Sequence, residues 1–152
     1  MRTSIFYPLS HAPRAALILG ISGLIPFIAL TFFAGHLAIT WYAFWLQLLA
    51  QYAALILSFV GALHWGYAVM SKTQGLRAWV QYGWSVVPSL VGWTALQLPV
   101  WHALRLLAAM LILSYVIDRK LATQHDIPNW LMPLRALLTF VGSLSLLIAS
   151  FI

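Results

Sequence analysis

The chain contains no cysteine and only two acidic residues among its 152. The absence of cysteine excludes disulfides, thiolate metal sites, iron–sulfur clusters and cysteine nucleophiles. With two acids in the whole chain, there is no recognisable pair of carboxylates for general acid–base catalysis. Neither a Gly-x-Ser-x-Gly motif nor a glycine-rich phosphate loop occurs. We therefore expect that the protein is not an enzyme.

Charge of either sign is scarce. Charged residues make up 7% of the chain, hydrophobic residues make up 63%, and the mean hydropathy is +0.94. A soluble domain carries roughly 25% charged and about 45–50% apolar residues. These totals predict an integral membrane protein. The net charge of +6 does not indicate nucleic-acid binding, because the basic residues stand mostly at the ends of apolar runs.

Five apolar stretches are long enough to form membrane-spanning helices of roughly 20 residues. They cover about residues 15–33, 42–70, 76–96, 100–117 and 130–152. The connections are short, and none has the length of a soluble domain. We predict an all-α fold, a single domain over residues 1–152 built as a bundle of five transmembrane helices. The first run exceeds the roughly 7–15 apolar residues of a signal-peptide core, so we expect it to be retained.

The basic residues also predict an orientation, because they concentrate on the cytoplasmic side of a membrane. With the N-terminus inside, seven of the eight fall on that side: Arg2, Arg14, Lys72, Arg77, Arg119, Lys120 and Arg135. Only Arg105 falls on the outer half. We therefore predict a cytoplasmic N-terminus and an external C-terminus.

Polar and small residues recur at helical spacing on three of the predicted helices. Such residues join helices in lipid, through close approach and interhelical hydrogen bonds. The second span carries Gln47, Gln51, Ala54, Ser58, Ala62 and Gly66, the third carries Gln81, Ser85 and Ser89, and the fifth carries Arg135, Thr139 and Ser143. We expect the three stripes to share one interior. They either hold the bundle together or line a cavity, where Pro26 and Pro88 would each free a backbone carbonyl.

His64 is the foremost candidate for a functional residue, because an ionisable side chain inside a membrane span is costly to bury. It lies in the predicted cytoplasmic half, between two glycines that would let a ligand or another backbone approach closely. A neutral histidine bonded to a carbonyl or hydroxyl is the alternative. The candidate ligand-binding or functional residues are Ser58, Gly61, His64, Trp65, Gly66, Trp84, Ser85, Pro88, Tyr115, Asp118 and Arg135.

Two charges lie near the predicted depth of His64. Asp118 and Arg135 are expected to form a pair that His64 could join, giving a polar cluster open to the inner side. Alternatively both charges extend to the inner interface, and this arrangement is slightly favoured. Arg105 is the odd charge, because both acids lie on the other side of the membrane. It either reaches the interface, bonds to carbonyls, contacts lipid phosphate, or meets an anionic ligand or a partner subunit.

Metal and haem sites are not expected, and no cofactor is predicted. The histidines show no His-x-x-x-His spacing on one helix. No histidine on another span shares the depth of His64, as a bis-histidine haem would require.

Several segments resemble a known family. They are Gly23-Leu24-Ile25-Pro26-Phe27, the run Ile56 to Gly66 (ILSFVGALHWG), Val87-Pro88-Ser89-Leu90 with Trp93, and Pro128-x-Trp130 followed by Leu134-Arg135 and Leu138-Thr139. Together they resemble the domain-of-unknown-function family 3429, the transmembrane protein 69-like proteins, over about residues 14–139. The resemblance implies a bundle of about five helices in bacterial or mitochondrial membranes, and it implies no activity. It adds Pro26 and Trp130 to the positions of interest.

Two functions fit these features. The first is an accessory, assembly or interaction subunit of a larger membrane complex, for example a respiratory one. The second is a lipid, quinone or small-molecule binding or transport protein with a polar pocket in the cytoplasmic half. The expected partners are membrane lipids, other subunits or the chain itself, and nucleic acid is not expected. The expected location is the bacterial inner membrane, in preference to the mitochondrial inner membrane.

Overall fold

A computed structural model describes residues 11–36, 39–70, 74–122 and 128–152, and this part of the chain is helical with short connections. Six α-helices occur along it: α1 (Arg14–Ser22), α2 (Ile25–His36), α3 (Tyr42–Met70), α4 (Gly75–Ala95), α5 (Val100–Ala122) and α6 (Leu131–Ala149). One turn of 3-10 helix, Ile39–Trp41, precedes α3. The all-α prediction is confirmed.

The first predicted span is divided into α1 and α2 at Gly23 and Leu24. Pro26 has no backbone N–H to bond the carbonyl of Ser22, four residues earlier, so α1 ends at Ser22 and a second helix begins at Ile25. The hydroxyl of Tyr52 on α3 donates a 2.8 Å hydrogen bond to the Gly23 carbonyl. The Phe27 ring packs edge-on against Tyr52, with ring centroids 5.2 Å apart. The span is therefore interrupted at Gly23 and Leu24, just before Pro26, and Tyr52 of α3 bonds to this interruption.

Four stretches of the described chain are long and apolar enough to cross a membrane. They are Arg14–His36, Tyr42–Met70, Val100–Lys120 and Leu131–Ala149. With its 21 residues α4 is about 31 Å long and matches the hydrocarbon thickness, but it is not apolar enough to count among these four. The count of five spans is thus approximate. The orientation stays a prediction, and Arg2 and Lys72 lie outside the described residues.

The longest helix, α3, is the centre of the bundle and packs against α2, α4 and α5. Its fully buried leucines meet fully buried leucines of α5 and α6 in one apolar core: Leu46, Leu49, Leu57, Leu104, Leu107 and Leu146. By contrast, α1 buries none of its residues and touches α6 near Gly20. The core therefore lies between α2, α3, α5 and α6, with α4 packed along α3.

The small and polar stripe of α3 does not face the interior as a whole, so the expected common lining of three stripes is wrong for this helix. Ala54 is buried and Ser58 is half-buried, but the other four members are exposed: Gln47, Gln51, Ala62 and Gly66. The reason is where α4 approaches. It packs on Gly61 and on Ala54, at one edge of the stripe, so the rest of the stripe faces away from α4. On α4 and α6, Gln81, Ser85, Arg135 and Ser143 are buried as expected.

Candidate functional site

Three ionisable side chains from three helices meet inside one end of the bundle. His64 lies on α3, Asp118 on α5 and Arg135 on α6, with exposed fractions of 1%, 8% and 6%. His64 precedes the end of α3 by about 9 Å, Asp118 precedes the end of α5 by about 6 Å, and Arg135 follows the start of α6 by about 6 Å. These similar distances bring the three side chains to one depth. We call them the buried cluster.

The carboxylate of Asp118 connects the other two members of the buried cluster. Arg135 donates a hydrogen bond from Nη2 to one carboxylate oxygen, Oδ2. The other oxygen, Oδ1, lies 2.7 Å from His64 Nε2. The two atoms are close enough for an ion pair. They do not form a hydrogen bond, because an N–H at Nε2 would not point at the carboxylate oxygen. One acid thus links α3, α5 and α6.

The balance of charge explains how this cluster is buried. A buried ion is costly in an apolar interior unless an opposite charge and hydrogen bonds compensate it. Asp118 and Arg135 compensate each other, and His64 Nε2 lies beside the same carboxylate. The favoured expectation that both charges extend to the interface is wrong. The alternative, an Asp118–Arg135 pair joined by His64, is the observed arrangement.

A small cavity adjoins the cluster. It has a volume of about 10 Å³ and is lined by Leu63, His64, Tyr67, Asp118, Leu131, Met132 and Arg135. This is about the space that one water molecule needs. Lipid, quinone and drug-sized ligands occupy sites of roughly 300 Å³ or more. In the described part of the chain, the buried cluster therefore does not enclose a pocket for such a ligand.

Tyr67 is a member of this site that the sequence reasoning missed. Its ring meets the His64 ring edge-on at 6.3 Å between centroids. A signal for it existed, because Tyr67 follows His64 by three residues and neighbours at that spacing share a helix face. Met132 was also missed, and it lies on α6 one turn before Arg135.

Gly61 meets the expectation of a close backbone approach, whereas Gly66 does not. A Cβ at Gly61 would lie 2.6 Å from the carbonyl oxygen of Ser85 and 3.1 Å from the ring of Pro88, which is fully buried. A Cβ at Gly66 would meet nothing within 4 Å. Gly61 is thus the contact at which α4 packs directly on α3.

The remaining predicted residues lie around the buried cluster and are not seen to bond to it. Trp65 is 51% exposed, and its ring packs edge-on against Tyr82 of α4. Ser58 donates a 2.9 Å hydrogen bond to the Ala54 carbonyl of its own helix, and Ser85 likewise donates to the carbonyl of Tyr82. Trp84 and Tyr115 are half-buried. The structure therefore joins His64, Asp118 and Arg135 directly, and among the other candidates Tyr115 interacts electrostatically with Arg135.

Arg105 has a partner at the far end of α6. Its Nη2 donates a 3.3 Å hydrogen bond to the Ser150 carbonyl, and its Nε donates to the Ser150 hydroxyl at 3.3 Å. Its guanidinium carbon lies 4.9 Å from the centroid of the Phe151 ring. Carbonyls at a helix C-terminus are unsatisfied and partly negative, so a cation there is favourable. Of the alternatives for Arg105, the structure shows carbonyl bonding.

In the described ranges, no group of three or more His, Cys, Asp or Glu residues is arranged to hold a metal ion. The fold and the buried cluster instead define a class: a polytopic, all-helical membrane protein whose interior contains a paired acid and base beside a histidine.

The chain belongs to the family described as "Protein of unknown function (DUF3429)", which matches residues 12–151. It is 32% identical over 138 residues to "Transmembrane protein 69" of Xenopus tropicalis, a match that covers 91% of this chain and 54% of that protein. It is 26% identical over 151 residues to "Transmembrane protein 69" of Mus musculus, covering 97% and 59% respectively. The chain thus spans somewhat more than half the length of these relatives. No solved structure matches it.

Proposed function

We propose that this protein is an interaction subunit of a larger membrane assembly. The observation that carries the proposal is the pair of glutamines on the surface of α3. Gln47 and Gln51 are exposed, and neither amide has a hydrogen-bond partner within the described residues. In the membrane, these two amides face either lipid tails or another protein.

The depth of these amides makes lipid an unfavourable neighbour. The 29 residues of α3 extend about 43 Å, and Gln51 lies about 14 Å along the helix from Tyr42. Gln51 is thus about 8 Å from the middle of the helix and well inside a hydrocarbon layer about 30 Å thick. A polar group there without a partner costs several kcal/mol. A partner helix that hydrogen-bonds the amide removes this cost.

The buried cluster supports the same proposal in a different way. Asp118 contacts both His64 and Arg135, and the adjoining cavity has room for about one water molecule, which supports a structural role over ligand binding. The only acid in the described ranges is the one bound to Arg135. The proposed role is non-catalytic, with the bacterial inner membrane as the proposed location and lipids and other subunits as the proposed partners.

The proposal is tested by purifying the tagged chain from its native membranes in a mild detergent and measuring the mass of the particle. We expect a defined particle heavier than one chain, and expect the double variant Gln47→Leu/Gln51→Leu to reduce it to the single chain. Thr94→Val is the matched control. Thr94 is exposed on α4, and its hydroxyl bonds to carbonyls of its own helix. A wild-type chain that always migrates alone, in detergent and in native nanodiscs, would overturn the proposal.

A further inference from the structure

The small cavity beside the buried cluster has polar as well as apolar walls. All three members of the cluster, His64, Asp118 and Arg135, contribute to its lining. We propose that this cavity binds one water molecule, which hydrogen-bonds to Arg135 Nε, to a ring nitrogen of His64 and to the Asp118 carboxylate. The water is then a fourth member of the junction between α3, α5 and α6. This site is independent of the proposed interaction role.

The protein does not use all the polar atoms of the cluster. In the described part of the chain, Arg135 Nε and both ring nitrogens of His64 are buried and form no hydrogen bond to another protein group. A neutral imidazole contains one donor and one acceptor, and each guanidinium N–H is a donor. Buried groups of this kind are satisfied, with few exceptions, by protein or by ordered water. The unpaired atoms therefore favour a ligand in the cavity that Arg135 and His64 both line.

The position of the His64 ring is consistent with a third group at this site. Nε2 lies 2.7 Å from Asp118 Oδ1, but the two atoms form no hydrogen bond. A carboxylate has lone pairs for about four hydrogen bonds, so Asp118 can accept another one. Because water is both a donor and an acceptor, it can donate to the carboxylate and bond to either tautomer of the ring. The water thus connects His64 to Asp118 where a direct hydrogen bond is absent.

Volume and charge favour water over other small occupants. The cavity volume of about 10 Å³ is close to the minimum that one water molecule requires, and the polar walls provide the partners that a buried water needs. Cavities that stay dry are apolar, whereas this one adjoins an ion pair. An additional ion is disfavoured, because the charges of Asp118 and Arg135 already compensate each other. A neutral, hydrogen-bonding ligand of this size is water.

Solid-state NMR of the protein in lipid bilayers tests the site directly, because magnetisation passes from water protons to nearby protein protons and falls steeply with distance. The Nε–H of Arg135 is the reporter, and mixing times are kept shorter than its exchange with bulk water. The indole N–H of Trp84 is the control, since Nε1 is also buried and unpaired but Trp84 does not line the cavity. We expect transfer to Arg135 several-fold stronger than to Trp84. No transfer to Arg135, or equal transfer to both, would overturn the proposal.

A substitution that fills the cavity tests whether the water lies there. Leu63 lines the cavity, and Leu63→Phe adds volume at that wall. Leu55→Phe is the matched control, because it is the same change on the same helix at a side chain that is 68% exposed and does not line the cavity. We expect Leu63→Phe to lose the water signal at Arg135 and Leu55→Phe to keep it. A signal that survives in the Leu63→Phe protein would place the water elsewhere and contradict the assignment.

An experimental density map that shows ordered waters gives a second readout and decides the question even if Leu63→Phe does not fold. We expect one water peak at about 2.7–3.2 Å from Arg135 Nε and from a ring nitrogen of His64. A cavity without density, or Arg135 Nε bonded to a protein group, would show that the assignment is wrong. Neither result changes the mass of the native particle, so the water site and the proposed interaction role are tested separately.

Discussion

Removing the negative charge from the buried cluster should destabilise this protein more than almost any other single substitution. Asp118→Asn keeps the size of the side chain but leaves Arg135 buried without an opposite charge. Removing one member of a buried ion pair costs about 3–5 kcal/mol, because the remaining ion is uncompensated. We expect a loss of unfolding free energy of about 3 kcal/mol or more for this variant.

The size of this loss follows from the contacts. Two unit charges at 4 Å attract by about 4 kcal/mol at an effective dielectric constant of 20. Both charges are more than nine-tenths buried, so solvent screens them weakly. The double variant Asp118→Asn/Arg135→Met removes both charges together. It should recover most of the loss, because an apolar replacement of a buried pair is often nearly neutral.

The measurement is reversible unfolding in mixed micelles of dodecyl sulfate, followed by circular dichroism, for the wild type, both single variants and the double variant. This double-mutant cycle isolates the coupling between the two side chains. Arg77→Met is a control, because Arg77 is exposed near the start of α4 and should change stability by no more than about 0.5 kcal/mol. If the single losses simply add in the double variant, the two charges are not coupled and the reasoning fails.

Three other substitutions test separate contacts. Gly61→Ala should cost about 1–3 kcal/mol of unfolding free energy, because its Cβ would lie 2.6 Å from a carbonyl oxygen of α4. Gly83→Ala is the control and should cost nothing, because its Cβ would meet no atom within 4 Å. Equal effects of the two substitutions would contradict the tight α3–α4 contact. Arg105→Leu should speed amide hydrogen exchange in the last turn of α6 several-fold, because it removes the hydrogen bond to the Ser150 carbonyl. An unchanged exchange rate would show that this hydrogen bond does not stabilise the end of the helix. Tyr52→Phe should destabilise the protein by about 1 kcal/mol, because it removes the hydrogen bond from the Tyr52 hydroxyl to the Gly23 carbonyl between α1 and α2. An unchanged midpoint of thermal unfolding would refute this prediction.

The positions of the helices were predictable because few backbone structures are stable in a membrane. A chain with 7% charged residues must satisfy its backbone internally, and the apolar runs mark where this happens. Predicted and observed boundaries agree within a few residues for α3 and α4. The agreement is poorer at Gly23, where a proline three residues later and a hydroxyl from another helix together interrupt the span. Only the proline is visible in the sequence.

The sequence pattern of α3 did not predict which of its faces points into the bundle. In water, the apolar face of a helix turns inwards, and the sequence reveals it. In lipid the outside is as apolar as the core, so apolar residues do not distinguish the two. The small and polar residues of α3 then suggested an interior, although most of them point outwards. The leucines that form the core look the same in the sequence as those that face lipid.

The chain by itself determined the class, the approximate spans and three candidates for a polar cluster: His64 and Arg135 inside predicted spans, and Asp118 directly after another. Those follow from local composition and from the cost of burying charge. The tertiary structure alone decided that Asp118 lies between His64 and Arg135, that Arg105 bonds to the end of α6, and that α3 presents its glutamines to the membrane. Each of these depends on how one helix is rotated and placed against another. Contacts between distant segments set that rotation, so a pattern read along one segment does not contain it.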